Sequence, residues 1–237
     1  MHQYFSDSDC PMFGEGGQVM SDQREIGASF IQAVRRSHRE EHPYRHWLLA
    51  DVLPEDVRDA LLTLPFTPPG VIDTKGKRET NNATRVYFDV GNRERLPVCQ
   101  DVAEAFQSQA VTRFIEEEFQ INLRGTFLRI EYCQDTEGFW LEPHTDIGVK
   151  KYTMLLYLSK DPGSETWGTD VLAGPLDYIK TAPFQSNGGL IFVPASNTWH
   201  GFRPRPINGV RRSIIINYVT DEWRARHELA YPSAVIQ

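Results

Sequence analysis

The sequence predicts an α+β protein in which helices from the first half pack outside a C-terminal β-sandwich or jelly roll. Three observations carry this reading. Apolar residues recur at helical spacing in segments up to Phe119. After Leu123 the texture changes to short apolar or alternating runs, rich in β-branched and aromatic residues and separated by turn residues. No repeat of fixed period and no low-complexity tract interrupts that order. Helices first and many strands later is the pattern of helices segregated to one side of an antiparallel sheet.

The elements follow in order. Residues 1–20 show no periodicity and read as a flexible tail, leaving 21–237 as one domain. Asp22 and Glu25 form a capping-box pair at the start of a helix that runs to about Arg39, with Ile26, Phe30 and Val34 on one face. Pro54 suits the first turn of a second helix, whose Val57, Ala60, Leu61 and Leu64 share a face before Pro65 stops it. A third helix is predicted from about Val98 to Phe119, with Val102, Phe106 and Phe114 on its apolar side. The predicted strands are His46–Val52, Ala83–Val90, Thr126–Cys133, Lys151–Ser159, Gly188–Pro194 and Arg211–Val219.

Composition limits function. With 237 residues, 40% hydrophobic and 24% charged, the chain is long enough to bury a core without disulfides. Its 25 basic and 32 acidic residues give a net charge of −7, which disfavours nucleic acid as a partner, since such binding rests on neutralising phosphates. The acidic start lacks the cationic and apolar regions of a secretory signal, and no apolar run approaches the ~18 residues of a membrane span. Three cysteines, Cys10, Cys99 and Cys133, without CxxC spacing predict reduced thiols. A cytoplasmic location, away from membranes, is the expectation.

The chemistry gathers in EPHTDIG and NTWHGF. In an extended chain residues i and i+2 share a face, so His144 and Asp146 present an imidazole and a carboxylate to one point. His200, 54 residues beyond Asp146 and just after the predicted strand GGLIFVP, can supply a third ligand. Two histidines and a carboxylate suit non-haem Fe(II), but the same set would serve a zinc hydrolase or a cupin. Eleven residues beyond His200, Arg211 and Ser213 share a face of one strand, while Arg212 points the other way. An arginine fork with a neighbouring hydroxyl fits one end of a dicarboxylate.

The ordered set RIEY, EPHTD, KKYTMLLYLS, NGGLIFVP, WHGF and RRS resembles the 2-oxoglutarate and Fe(II)-dependent dioxygenase superfamily, particularly its prolyl-4-hydroxylase-like branch, over about Thr126–Val219. The resemblance implies a double-stranded β-helix (jelly-roll) core with the N-terminal helices outside. It implies His144, Asp146 and His200 as iron ligands and catalytic residues, and Arg211, assisted by Ser213 and Tyr132, on the distal carboxylate of 2-oxoglutarate. Dioxygen is then the oxidant, with succinate and CO2 as products. Related halogenases replace the carboxylate ligand by a small residue, so Asp146 points to hydroxylation or another oxidative outcome. Nucleic-acid demethylases of the superfamily carry a second arginine where this chain has Asn217. For the substrate, Asn82 and Arg85 in RETNNATRVYF and Trp167 near the metal motifs are the candidates. The expected substrate is a small polar metabolite such as an amino acid or a natural-product intermediate. The alternatives are a residue in a protein, or a non-enzymatic jelly roll that binds metal or senses a ligand.

Overall fold

The computed structural model describes residues 20–70, 76–77 and 85–237. Helix α1 (Gln23–Arg35) opens on the expected capping box: the Asp22 carboxylate accepts from the Arg24 and Glu25 amides, and Glu25 accepts from the Asp22 amide. It stops short of Arg39 because the Ser37 amide and hydroxyl both turn back to the Val34 carbonyl. The chain then extends as β1 (His38–Glu40) against β2 (His46–Leu49). Pro54 is the extended residue before α2 (Glu55–Leu62) rather than its first helical residue.

Two sequence expectations are corrected in the next stretch. The predicted strand 83–90 is reduced, within its described part, to β3 (Val86–Tyr87), after which the Asp89 carboxylate caps a short helix, α3 (Val90–Arg95). The predicted helix 98–119 is two helices, α4 (Pro97–Gln107) and α5 (Gln109–Phe119). Ser108 divides them: its backbone is extended and its hydroxyl accepts from the Val111 amide, so it serves as an N-cap in mid-segment.

Eight strands follow: β4 (Phe127–Asp135), β5 (Leu141–His144), β6 (Lys150–Tyr157), β7 (Asp170–Gly174), β8 (Asp177–Thr181), β9 (Gly189–Phe192), β10 (Trp199–Phe202) and β11 (Arg211–Val219). They join β1–β3 in two antiparallel sheets, one of seven strands in the order β1-β2-β9-β6-β11-β4-β3 and one of four in the order β5-β10-β7-β8.

Strand parity sorts the two faces of the large sheet. Leu128, Ile130, Tyr152, Met154, Leu156, Ile214, Ile216 and Tyr218 pack against Ile26, Phe30, Leu61, Phe106 and Ile115 of the helices. Leu155, Tyr157, Leu190 and Phe192 face the other way and pack with Val171 and Phe202 of the small sheet. The molecule is thus layered as helices, large sheet and small sheet. The polar residues of β4 and β11 that alternate with the helix-facing set lie between the two sheets.

Candidate metal centre

His200 on β10 pairs in register with His144 at the end of β5, which puts their rings 4.3 Å apart between centroids. Asp146 follows two residues on, and one ligand atom from each of His144, Asp146 and His200 lies within 4.8 Å of the others. Both imidazoles are oriented by their own strands: His144 Nδ1 sits 2.9 Å from the Glu142 carbonyl and His200 Nδ1 3.0 Å from that of Thr198. A carbonyl accepts only, so Nδ1 is the protonated nitrogen on both rings and Nε2 carries the lone pair a metal needs. Burial pushes His200 down to about 3, and the adjacent His144 adds to the effect, so this ring is neutral at physiological pH. Phe192 closes one side of it, with centroids 4.7 Å apart.

The Asp146 carboxylate is held at both oxygens. Lys150 Nζ donates to Oδ1, and Thr153 Oγ1 donates to Oδ2 at 2.6 Å. Asn217 Nδ2 in turn donates to Thr153 Oγ1 at 2.9 Å and to the Tyr152 carbonyl at 3.2 Å. Sequence reasoning missed Lys150 and Thr153. Their signal was present in KKYTMLLY as a lysine and a threonine in a strand whose other residues, apart from the exposed Lys151, are large and apolar or aromatic.

Arg211 and Ser213 lie on the inter-sheet face, as strand parity predicts: Ser213 is opposite Cys133 on β4 and Tyr157 on β6, and Arg211 is opposite Asp135. Arg211 is 5% exposed, its guanidinium rests over the Phe202 ring, and it donates from Nε to the Trp167 carbonyl (2.7 Å) and from Nη1 to Asp135 Oδ2 (2.6 Å). Nη2 makes no hydrogen bond among the described residues. Arg212 is partly exposed on the opposite face of the strand.

Arg85, expected on a substrate loop, is buried between the sheets, where Nη1 donates to Asp135 Oδ1 at 2.6 Å and Nε lies 3.4 Å from Glu131. Asp135 therefore bridges two arginines. Further along β4, Arg129 pairs with Glu131 and with Glu228 at 2.6 Å each, and its Nη1 lies 3.5 Å from Asn217 Oδ1. An alternating row of buried charges thus runs from Arg211 toward the metal centre.

Two expected site residues stand elsewhere. Tyr132 faces the helices, one residue out of phase with Ser213, and its phenol donates to the Leu61 carbonyl at 3.0 Å; it does not join Arg211. Trp167 is 1% exposed, and its indole N–H is spent on the Pro206 carbonyl, so what it offers the site is its backbone carbonyl on Arg211. Asn82 lies outside the described residues.

No family model matches the sequence, and no curated protein matches it. Solved structures do resemble the fold. A prolyl 4-hydroxylase from Phytophthora capsici superposes with TM-score 0.59 at 13% identity, covering 88% of this chain and 68% of that one. A prolyl hydroxylase from Trichoplax adhaerens, in complex with a hypoxia inducible factor oxygen degradation domain peptide fragment, gives 0.53 at 15% identity over 86% and 93%. An oxidoreductase of the 2OG-Fe(II) oxygenase family from Burkholderia pseudomallei gives 0.50 at 12% identity over 84% and 91%. The chain therefore shares its fold with these solved prolyl hydroxylases and with this 2OG-Fe(II) oxygenase.

Proposed function

We propose that this chain is an Fe(II)- and 2-oxoglutarate-dependent oxygenase that hydroxylates a small polar metabolite, such as an amino acid or a natural-product intermediate. The observation that carries the reading is the convergence of His144, Asp146 and His200 within 4.8 Å, with both imidazoles turned to offer Nε2. The two sheets are read as a double-stranded β-helix of jelly-roll type, and residues 21–237 as its single domain.

The donor set fits Fe(II), because two neutral imidazoles and one carboxylate leave positions open for small molecules. Iron bound there with 2-oxoglutarate and O2 would supply the oxidative chemistry, giving succinate and CO2 with oxidation of the substrate. The chain's own part is to hold and orient. His144, Asp146 and His200 hold the metal; Thr153 and Asn217 fix the carboxylate plane; Arg211, with Ser213 on the same face, receives the distal carboxylate of the cosubstrate. The Trp167 carbonyl and Asp135 pin Nε and Nη1 of that guanidinium, which leaves Nη2 as the donor for that carboxylate.

The test has two parts. Adding Fe(II) and 2-oxoglutarate without oxygen should produce a visible charge-transfer band that is absent in His200→Ala and Asp146→Ala. A metabolite panel should then stimulate succinate formation in air. A band without turnover on metabolites but with turnover on peptides moves the assignment to a protein residue. Neither band nor decarboxylation leaves a non-enzymatic metal-binding protein.

A further inference from the structure

Lys150 is a feature of the centre that metal binding alone does not call for. It is 4% exposed, four residues beyond Asp146 at the start of β6, and its ammonium donates directly to the carboxylate proposed as a metal ligand. The ammonium thus offsets the charge of the triad's one carboxylate. Along the inter-sheet row Arg85, Arg129 and Arg211 pair with Glu131, Asp135 and Glu228. A divalent cation at the triad would therefore share its one carboxylate ligand with an ammonium.

A buried ammonium one hydrogen bond from the ligand carboxylate opposes the metal and attracts any anion carried with it, and both effects are strong where water is excluded. A site built for metal affinity alone would place a neutral donor at this position, as Thr153 is placed on the other oxygen. We propose that Lys150 is a positioning residue that sets the charge of the centre, keeping the metal weakly held by the chain alone and strengthening the binding of a dianionic 2-oxo acid to the metal-loaded site. This rests on the iron and 2-oxoglutarate reading above. In these terms the two ligands are coupled by charge.

The experiment uses the full chain and Mn(II) as the probe ion, followed by loss of the free-ion paramagnetic resonance signal. 2-Oxoglutarate is then titrated calorimetrically into the Mn(II)-loaded protein. Lys150→Gln keeps a hydrogen-bond donor but removes the charge. It should bind Mn(II) at least about 10-fold more tightly and 2-oxoglutarate at least about 10-fold more weakly, since one unit of charge in a buried site shifts an equilibrium by this order or more. Lys150→Arg should keep both affinities within about threefold, because it keeps the charge. Lys150→Met carries the same pair of expectations should the glutamine variant not fold. A purely structural role weakens both ligands together, so opposite signs are the signature. Two affinities that fall together, or that both stay as in the wild type, overturn the proposal when wild-type Mn(II) binding is present and lost in His200→Ala. A wild-type protein that binds no Mn(II) overturns the metal reading, and this proposal with it.

Discussion

Replacing Arg211 by alanine separates the proposed cosubstrate arginine from its neighbour Arg212. Arg211 is buried, so its contacts are not discounted by solvent, and the loss divides into a stability part and a binding part. Stability suffers moderately, because Asp135 keeps Arg85 at 2.6 Å and is not left as an orphan charge. Losing charged hydrogen bonds to the Trp167 carbonyl and Asp135 costs about 1.5–3 kcal/mol, or about 3–12 °C in Tm for a chain of this size. The variant is therefore expected to fold and to be assayable. On binding, a charge-assisted contact from Nη2 worth about 1.5–3 kcal/mol corresponds to roughly 10- to 150-fold in Kd for 2-oxoglutarate. Lysine at 211 keeps the charge but not the planar group that the Trp167 carbonyl and Asp135 pin, and should restore part of the loss. Arg212→Ala, on the helix-facing side of β11, should leave Kd within about twofold. The assay is a 2-oxoglutarate titration at saturating Fe(II) without oxygen, read through the charge-transfer band, so that binding is seen apart from turnover. Equal effects at the two positions, or a larger one at Arg212, would refute the assignment of faces.

Three further outcomes test the structure around the site. Tyr132→Phe removes the donor to the Leu61 carbonyl and should cost about 0.5–1.5 kcal/mol in urea unfolding while 2-oxoglutarate affinity stays within about twofold; a tenfold loss of affinity would return Tyr132 to the cosubstrate. Burial holds His46 below the ordinary imidazole pKa, so the unfolded chain takes up a proton there before the folded one does. Its stabilising contribution is complete above about pH 6.5 and is lost as pH falls below that; metal-free His46→Gln should lose less Tm than wild type between about pH 7.5 and 5, and parallel curves would reject this. At Gly168 an added Cβ would lie 1.7 Å from the Ala182 carbonyl oxygen, an overlap only backbone movement relieves. Gly168→Ala should thus cost at least about 2 kcal/mol, and because Trp167 beside it holds Arg211, 2-oxoglutarate affinity should fall as well; an unchanged urea midpoint would show that the clash is absorbed.

What could be read without coordinates was local. The Asp22–Glu25 box, the i, i+2 pairing of His144 with Asp146, and the parity of Arg211 and Ser213 all depend on periods that the backbone imposes, and each recurs in the structure. Ser108 was hidden because apolar residues keep helical spacing across it, so no break shows in the pattern although its hydroxyl makes one. β5, β7, β8 and β10 are four or five residues of mixed composition, and their pairing, not their propensity, defines them.

Tyr132 and Lys150 show where parity stops being enough. The even–odd rule that separates Arg211 from Arg212 also separates Tyr132 from Arg211, but only after β4 is set against β11 in the register that opposes Tyr132 to Ile214 and Cys133 to Ser213. In FLRIEYCQD the polar residues alternate as they do on a strand with one wet face. Here that face is covered by the second sheet, and the same alternation becomes a row of buried charges that must balance pair by pair. Whether an alternating strand meets water or an interior is decided by a partner far away in sequence. Covering that face turns ordinary strand polarity into the electrostatic setting of the candidate metal centre, which is why Lys150 and Asp135 acquire significance only in three dimensions.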